Sequence, residues 1–545
     1  MLVTIGPVAR SLLLAAILLV AFGLRLYNLD FGLPSLYDPD EPLFVIKAAE
    51  LLTGGTLNPR WFGHPGTTTI YLAALVSIIV FIAGMISGSW SSIHDFTQAA
   101  FADPGLIFLP ARFAMVLIAV TCVWLTYRVG RRLHSTSCGL IAAALLALNS
   151  LHINWSQVIR TDIQASMFML GALYFAIGIA RTARQSDYVW AGVLTGIAVA
   201  TKWPAASVFV AVIGASIAQV RARPEARRDE VRKLVLAGIA AVVALLVASP
   251  FLLLDWQTVV SDLSGEARPV HLGHTGHGLW GNIVSYLQFQ VAGSMGWISL
   301  PLVAAGIAAL AIRSTGARFT LLPAAVAFLF VISNQNLIWA RWILPLLPML
   351  TIFVAAALIW ISERAGRILN LPVAATTTAL LIAVSIPSLM NTAAAIRERE
   401  NDTRSMAAEW ARRHIPSGST VALEHLELGL RDQQWTFLFP IGQAGCIDGI
   451  KALQNGVRYD DVNRDRQGAP IVDLGNIPAE KLASCDADYS ILSYYDLYLT
   501  EAKQFPKQIS TYQKLLNDKK TVAIFRPVKG KIGGPTIRIV ASRNR

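Results

Sequence analysis

Charge is scarce in this sequence. Of its 545 residues only 15% are Asp, Glu, Lys or Arg, while 54% are apolar, against about a quarter charged in soluble globular domains. That shortage, with a mean hydropathy of +0.52, excludes a water-soluble fold and requires lipid as part of the solvent. Cysteine is scarcer still, at four residues. None falls in a CxxC or a Cys/His cluster, so nothing points to structural zinc. Cys122 and Cys138 lie in or beside apolar runs, whereas Cys446 and Cys485 lie in a polar C-terminal region and can pair only if it is oxidised. No internal repeat of the kind many secondary transporters carry is visible. The net charge of +12 comes from Lys and Arg set mostly in short loops between apolar runs. That is an orientation signal for a membrane rather than a footprint for nucleic acid, and no nucleic-acid partner is expected.

Apolar runs long enough to span fall near residues 10–29, 108–127, 138–152, 163–180, 188–202, 204–220, 234–254, 293–313, 319–335, 341–361 and 369–389. The first has a passable signal-cleavage site at Ala21-Phe22-Gly23, but its length favours retention as a span. Basic clusters at Arg128 to Arg132, Arg181 with Arg184, Arg221 to Lys233, Arg313 with Arg318, and Arg364 with Arg367 mark cytoplasmic loops. A further apolar run, 67–88, would put those loops on the wrong side if it crossed, so parity predicts that it re-enters or lies in the interface. The reading is a polytopic α-helical membrane protein of roughly 11 spans over 1–390. Its N-terminus is cytoplasmic, and a small extracytoplasmic α/β domain over 391–545 carries strand-like stretches at Thr420 to Glu424, Tyr489 to Tyr495 and Thr521 to Phe525.

The same count places the chemistry-bearing residues at outer helix ends. Tyr37-Asp38-Pro39-Asp40-Glu41-Pro42 sets three carboxylates just past the first span. A carboxylate there can accept a proton from a hydroxyl or hold a divalent metal, or it can simply cap the next helix. His64-Pro65-Gly66 opens the 67–88 run. Arg160-Thr161-Asp162 begins a helix, where the pair either satisfies itself or presents Arg160 to an anion. Lys202, before Trp203-Pro204, occupies a tight outer turn from which an ammonium can reach lipid phosphate or snorkel. Arg341 opens a run kinked by Pro345 and Pro348, where a guanidinium can clamp phosphate oxygens. His271, His274 and His277 lie in a Gly-rich outer loop without a supporting ligand, which favours a flexible loop over a metal site. Gly192 and Gly196 form a small-xxx-small pattern assigned to helix packing.

In order, Asp40-Glu41, His64-Pro65, Arg160-Thr-Asp162, Thr201-Lys202-Trp-Pro and Ala340-Arg341-Trp-Ile-Leu-Pro-Leu-Leu-Pro resemble the protein O-mannosyltransferase and aminoarabinose-transferase superfamily, glycosyltransferases of the GT-C fold. The tail, with Asp402-Thr-Arg404, Ile415-Pro-Ser-Gly-Ser and Asp488-Tyr-Ser-Ile-Leu-Ser, is similar to that of bacterial carrier-dependent transferases. The resemblance implies a polyprenyl-phosphate sugar donor, membrane lipid, and an acceptor that is a glycan, lipid or protein, at a bacterial inner membrane with the catalytic side outward. It implies Asp40 as general base with Glu41 beside it at the catalytic centre, and a juxtamembrane place for the 67–88 run. His64, Arg160, Asp162, Lys202 and Arg341 are the substrate-binding candidates. The cofactor is unknown, a divalent metal at Asp40 is left open, and Gly66 departs from the commoner His-Pro-Pro form. The rival reading is a transporter or lipid flippase, which would place ionisable residues deep within helices. A polysaccharide polymerase or ligase would share the carrier without needing the acidic pair.

Overall fold

In the computed structural model, residues 6–424, 428–430, 432–455, 461, 464 and 473–543 are described. The chain forms two units. The first comprises Met1–Asp30, Asp40–Arg268 and Gly276–Thr392, and the second Phe31–Pro39, Pro269–Thr275 and Ala393–Arg545.

In the first unit each apolar run read as a span is helical. Among the described residues, eight helices are long and apolar enough to cross a membrane: Pro7–Leu26, Thr67–Ser87, Gly105–Leu133, Thr161–Thr182, Trp203–Ala222, Pro224–Ala248, Ala340–Leu369 and Val373–Glu400. Two bent pairs bring the number to as many as ten, and the protein is an integral, multi-pass membrane protein. Thr136–Ala147 and Ser150–Ser156 meet at 63°, because Asn149 ends the first helix and caps the second, its Oδ1 accepting the His152 N–H at 2.9 Å. Gly278–Met295 and Ser299–Arg313 meet at 100°. The turn is at Gly296, whose φ of +83° suits glycine, so the run at 293–313 is not one straight span.

The Ala340–Leu369 helix lies innermost, with 94% of its apolar window buried. Pro7–Leu26 and Pro224–Ala248 instead expose apolar side chains such as Leu12, Leu19 and Val247, as lipid-facing helices do. Gly192 and Gly196 allow close packing: a Cβ at either position would come within about 2.2 Å of the Ala237 or Ala241 carbonyl oxygen. The 67–88 run is a continuous helix, Thr67–Ser87, with no reversal along it. Its first turn is tied down by Thr67 to Ser249, Thr68 to Thr201 and Thr69 to Gln164, each at 2.7 Å.

The second unit carries a six-stranded sheet in the order β3-β2-β1-β4-β6-β5. Its strands are β1 (Thr420–Leu423), β2 (Thr436–Pro440), β3 (Cys446–Asp448), β4 (Tyr489–Leu492), β5 (Lys519–Phe525) and β6 (Ile537–Ser542). β1 pairs in parallel with β2 and β4, and the remaining pairings are antiparallel. Ala407, Ala408 and Ala411 of the Thr403–His414 helix pack with Val421, Phe437 and Ile491 in one apolar cluster. Ile509 and Tyr512 of Pro506–Leu516 join Leu492, Val540 and Cys485 in another. Cys446 and Cys485 form a disulfide.

Candidate active site

The two residues of the acidic pair have different surroundings. Proline in the first turn fixes the start of the Glu41–Gly54 helix, and Asp40 precedes it. Glu41 is fully buried, and its carboxylate takes a bidentate grip from Arg112, Nε to Oε1 at 2.9 Å and Nη2 to Oε2 at 2.6 Å. The same Oε1 accepts the Ile159 N–H at 2.9 Å, and Arg112 Nη1 bonds the Leu29 carbonyl. Glu41 thus ties its own helix to Gly105–Leu133 and to the backbone one residue before Arg160. A second lock lies alongside, where buried Arg25 bonds the carbonyls of Ala147 and Leu146 and His152 Nδ1. Gln157 Nε2 then holds the carbonyls of Arg25 and Tyr27.

Asp40, by contrast, is 40% exposed at its side chain. Its Oδ2 accepts from Arg160 Nη1 and lies 3.4 Å from Arg341 Nη2. Burial pushes this carboxyl upward, but Arg160 and Arg341 outweigh it and hold the group well below the usual carboxylate range. Buried Asp162 pairs with Lys202 Nζ, and its Oδ2 stands 3.9 Å from Arg341 Nε. Aromatic rings back the cations. Arg341 lies 4.1 Å from the centroid of Trp339, Trp155 lies 5.8 Å from both Arg160 and Arg341, and Lys202 sits 5.7 Å from Trp342.

The 61–66 loop joins this cluster by main-chain pairing. Trp203 N–H bonds the His64 carbonyl at 2.8 Å, Gly66 N–H bonds the Thr201 carbonyl at 3.2 Å, and Pro65 bridges Lys202. Gly66 has φ +73°, a value closed to proline, which explains the departure from His-Pro-Pro. Burial first, then Lys202 and Arg341, push the His64 imidazole down to about 3, so it is neutral. Beside the cluster a cavity of about 390 Å³ is lined by residues including His64, Lys202, Trp203, Glu266, Gln335 and Trp342.

A model of the family described as dolichyl-phosphate-mannose-protein mannosyltransferase matches residues 104–254, a stretch that includes Arg160, Asp162 and Lys202. The crystal structure of ArnT from Cupriavidus metallidurans bound to undecaprenyl phosphate superposes with a TM-score of 0.52 at 14% identity, covering 98% of each chain. The chain shares the fold of ArnT. The oligosaccharyltransferase AglB from Archaeoglobus fulgidus, in complex with an inhibitory peptide and a dolichol-phosphate, is also similar, with 12% identity, a TM-score of 0.48, and coverage of 93% of this chain and 72% of that one. No curated protein matches the sequence.

All seven candidate residues therefore meet in one region of the first unit, with Glu41 behind the cluster rather than in it. Two participants were not singled out from the sequence. Arg112 lies within an apolar run, where an arginine is itself a signal, and Glu266 lies in the polar stretch 255–280. A divalent cation does not fit at Asp40. The carboxylate already faces two guanidinium groups, Asp162 is bonded to Lys202, and no group of three metal-ligating side chains occurs among the described residues. Of the three histidines, His271 turns its Nδ1 to the Leu272 carbonyl and packs its ring 5.5 Å from that of His274.

Proposed function

We propose that this glycosyltransferase moves a sugar from a polyprenyl-phosphate donor to an acceptor hydroxyl on the non-cytoplasmic side of a bacterial inner membrane, inverting the anomeric centre. The observation that carries the reading is the charge of the cluster: three cations, Arg160, Lys202 and Arg341, against two carboxylates, Asp40 and Asp162, beside a cavity of about 390 Å³. The cluster's net charge is positive, and a lipid phosphate is an anion that suits it. Undecaprenyl phosphate bound to ArnT supports the same ligand class.

In the proposed reaction the acceptor O–H bond breaks and its proton passes to Asp40. The oxygen attacks the anomeric carbon from the face opposite the phosphate, and the carbon–phosphate-oxygen bond breaks toward Arg341, Lys202 and Arg160. The resting Asp40 is a weak base because two guanidinium groups hold it. An arriving phosphate competes for those groups and restores its basicity, so donor binding prepares the carboxylate. Outward sidedness is supported by the basic loops and by the Cys446–Cys485 disulfide, since such bonds persist in oxidising compartments.

The test is transfer of radiolabelled sugar from polyprenyl-phosphate donors to a membrane extract by purified protein, parent against Asp40→Asn. Loss of roughly 10²-fold or more in a folded variant is expected. Undiminished transfer by Asp40→Asn would remove Asp40 from the chemistry, and a folded parent inactive across a broad panel would remove the reaction itself.

A further inference from the structure

We propose that Glu266 selects the transferred sugar, its carboxylate accepting hydrogen bonds from a vicinal pair of hydroxyls on the glycosyl group. The inference rests on the glycosyl-transfer reading above and adds which atoms recognise the substrate.

Glu266 is the only carboxylate among the residues lining the cavity, which it shares with Lys202. Lys202 belongs also to the ion cluster through Asp162, so a phosphosugar held by its phosphate at the cluster places its ring in the space that Glu266 faces. Trp203 and Trp342 line the same space, and their faces suit the C–H side of a pyranose. A polyol needs acceptors opposite that apolar wall, and a carboxylate offers two oxygens to neighbouring hydroxyls.

The freedom of Glu266 sets it apart from the other acidic side chains of the region. Glu41 is gripped by Arg112, Asp40 by Arg160 and Arg341, and Asp162 by Lys202. Glu266 has one cation within 4 Å among the described residues, Arg268 at 3.6 Å, and stays 38% exposed. It ends the Trp256–Glu266 helix and lies against the 61–66 loop, where a Cβ at Gly63 would come 3.1 Å from its Oε1. A side chain at 63 would therefore crowd the carboxylate. Burial raises its pKa, with Arg268 and Arg341 opposing and Asp40 and Asp262 assisting. Those are the charged groups that bear on it, and two of them belong to the ion cluster.

The experiment uses the full-length protein in lipid with the polyprenyl-phosphate sugar that the parent transfers and with donors lacking one hydroxyl at a time. Parent, Glu266→Gln and Glu266→Ala are compared after equal Tm values establish folding. Donor KM should rise roughly 10- to 100-fold in Glu266→Gln, the worth of hydrogen bonds to a charged group, while kcat changes by less than about threefold. The parent should discriminate against one or two of the deoxy donors, and Glu266→Ala should lose that discrimination. A donor KM unchanged in both variants, retained discrimination, a rise confined to acceptor KM, or a fall confined to kcat would each overturn the assignment. A folded parent that transfers nothing removes the glycosyl-transfer reading and this assignment with it, whereas a transferring parent indifferent to Glu266→Ala removes the assignment alone.

Discussion

Asp40 and Glu41 are adjacent in the chain, yet one side chain is exposed to a cavity-side cluster and the other is locked in a dry ion pair. Breaking a buried pair by removing one partner costs about 3–5 kcal/mol, because the remaining charge is stranded. Glu41→Gln should therefore lower Tm by several degrees, and Arg112→Leu should do the same. Asp40→Asn, at a side chain 40% exposed, should lower Tm less than either while cutting transfer roughly 10²-fold or more. Thermal unfolding in detergent, read beside the transfer assay, separates the two roles. Asp40, Arg160, Lys202 and Arg341 were singled out from sequence because each stands at the polar end of an apolar run, and the family resemblance put Asp40 first among them. Arg112 was not, since its partner is 71 residues away and a hydropathy window absorbs one arginine. Glu266 stayed hidden for a different reason, as one acid at the end of a polar helix carries no periodic mark.

At the scale of elements, the turn at Gly66 couples two segments that each supply a candidate residue. A Cβ there would meet the Trp61 ring at 2.8 Å, on a backbone with φ +73°. Gly66→Ala should cost about 1–2 kcal/mol in backbone strain and shift His64 relative to Lys202. The check is transfer rate and Tm in the same preparation, with the rate falling further than stability alone explains.

The second unit offers a separate test. Asp473 is pushed up to about 8 by burial and by nearby Glu424, against the hydrogen bonds of Tyr498 and the Asn476 and Gly475 amides. Glu424, at the end of β1, is likewise raised by burial. A carboxyl raised on folding binds more protons in the native state, so its contribution favours the fold at low pH and is lost as pH rises from about 4 to about 8. Hydrogen-exchange protection factors at β1 and β4 should fall over that range, and Asp473→Asn should flatten the response. Helix identity was readable from the apolar runs, but the 63° and 100° bends were not, because mean hydropathy records length and not direction. Strands β1, β4 and β5 announced themselves by alternation. β3 is three residues long, too short to show a period.

For the whole molecule, sidedness can be measured directly. The proposed orientation predicts that Ser89→Cys is labelled by an impermeant thiol reagent from outside intact cells and that Ser186→Cys, two residues after Arg184, is labelled only after lysis. Both positions are exposed. Non-reducing mass spectrometry of the same cells should find the Cys446–Cys485 peptide pair. Replacing both with Ser should cost the second unit about 3–4 kcal/mol, given the 39-residue separation. Labelling of Ser89→Cys only after lysis would reverse the parity argument and make Thr67–Ser87 a crossing helix.

The segment Phe31–Pro39, which leads into Asp40, is part of the second unit. Arg404 bonds the Tyr37 carbonyl at 3.0 Å, stacks 3.9 Å from its ring, and Ser405 bonds its hydroxyl at 2.7 Å. Those partners are synthesised 367 and 368 residues after Tyr37. A nascent chain stalled before residue 404 carries every candidate catalytic residue, yet it lacks both side chains that bond Tyr37. Synthesis order alone therefore dates the Tyr37 contacts: they form only after every residue of the first unit has been made.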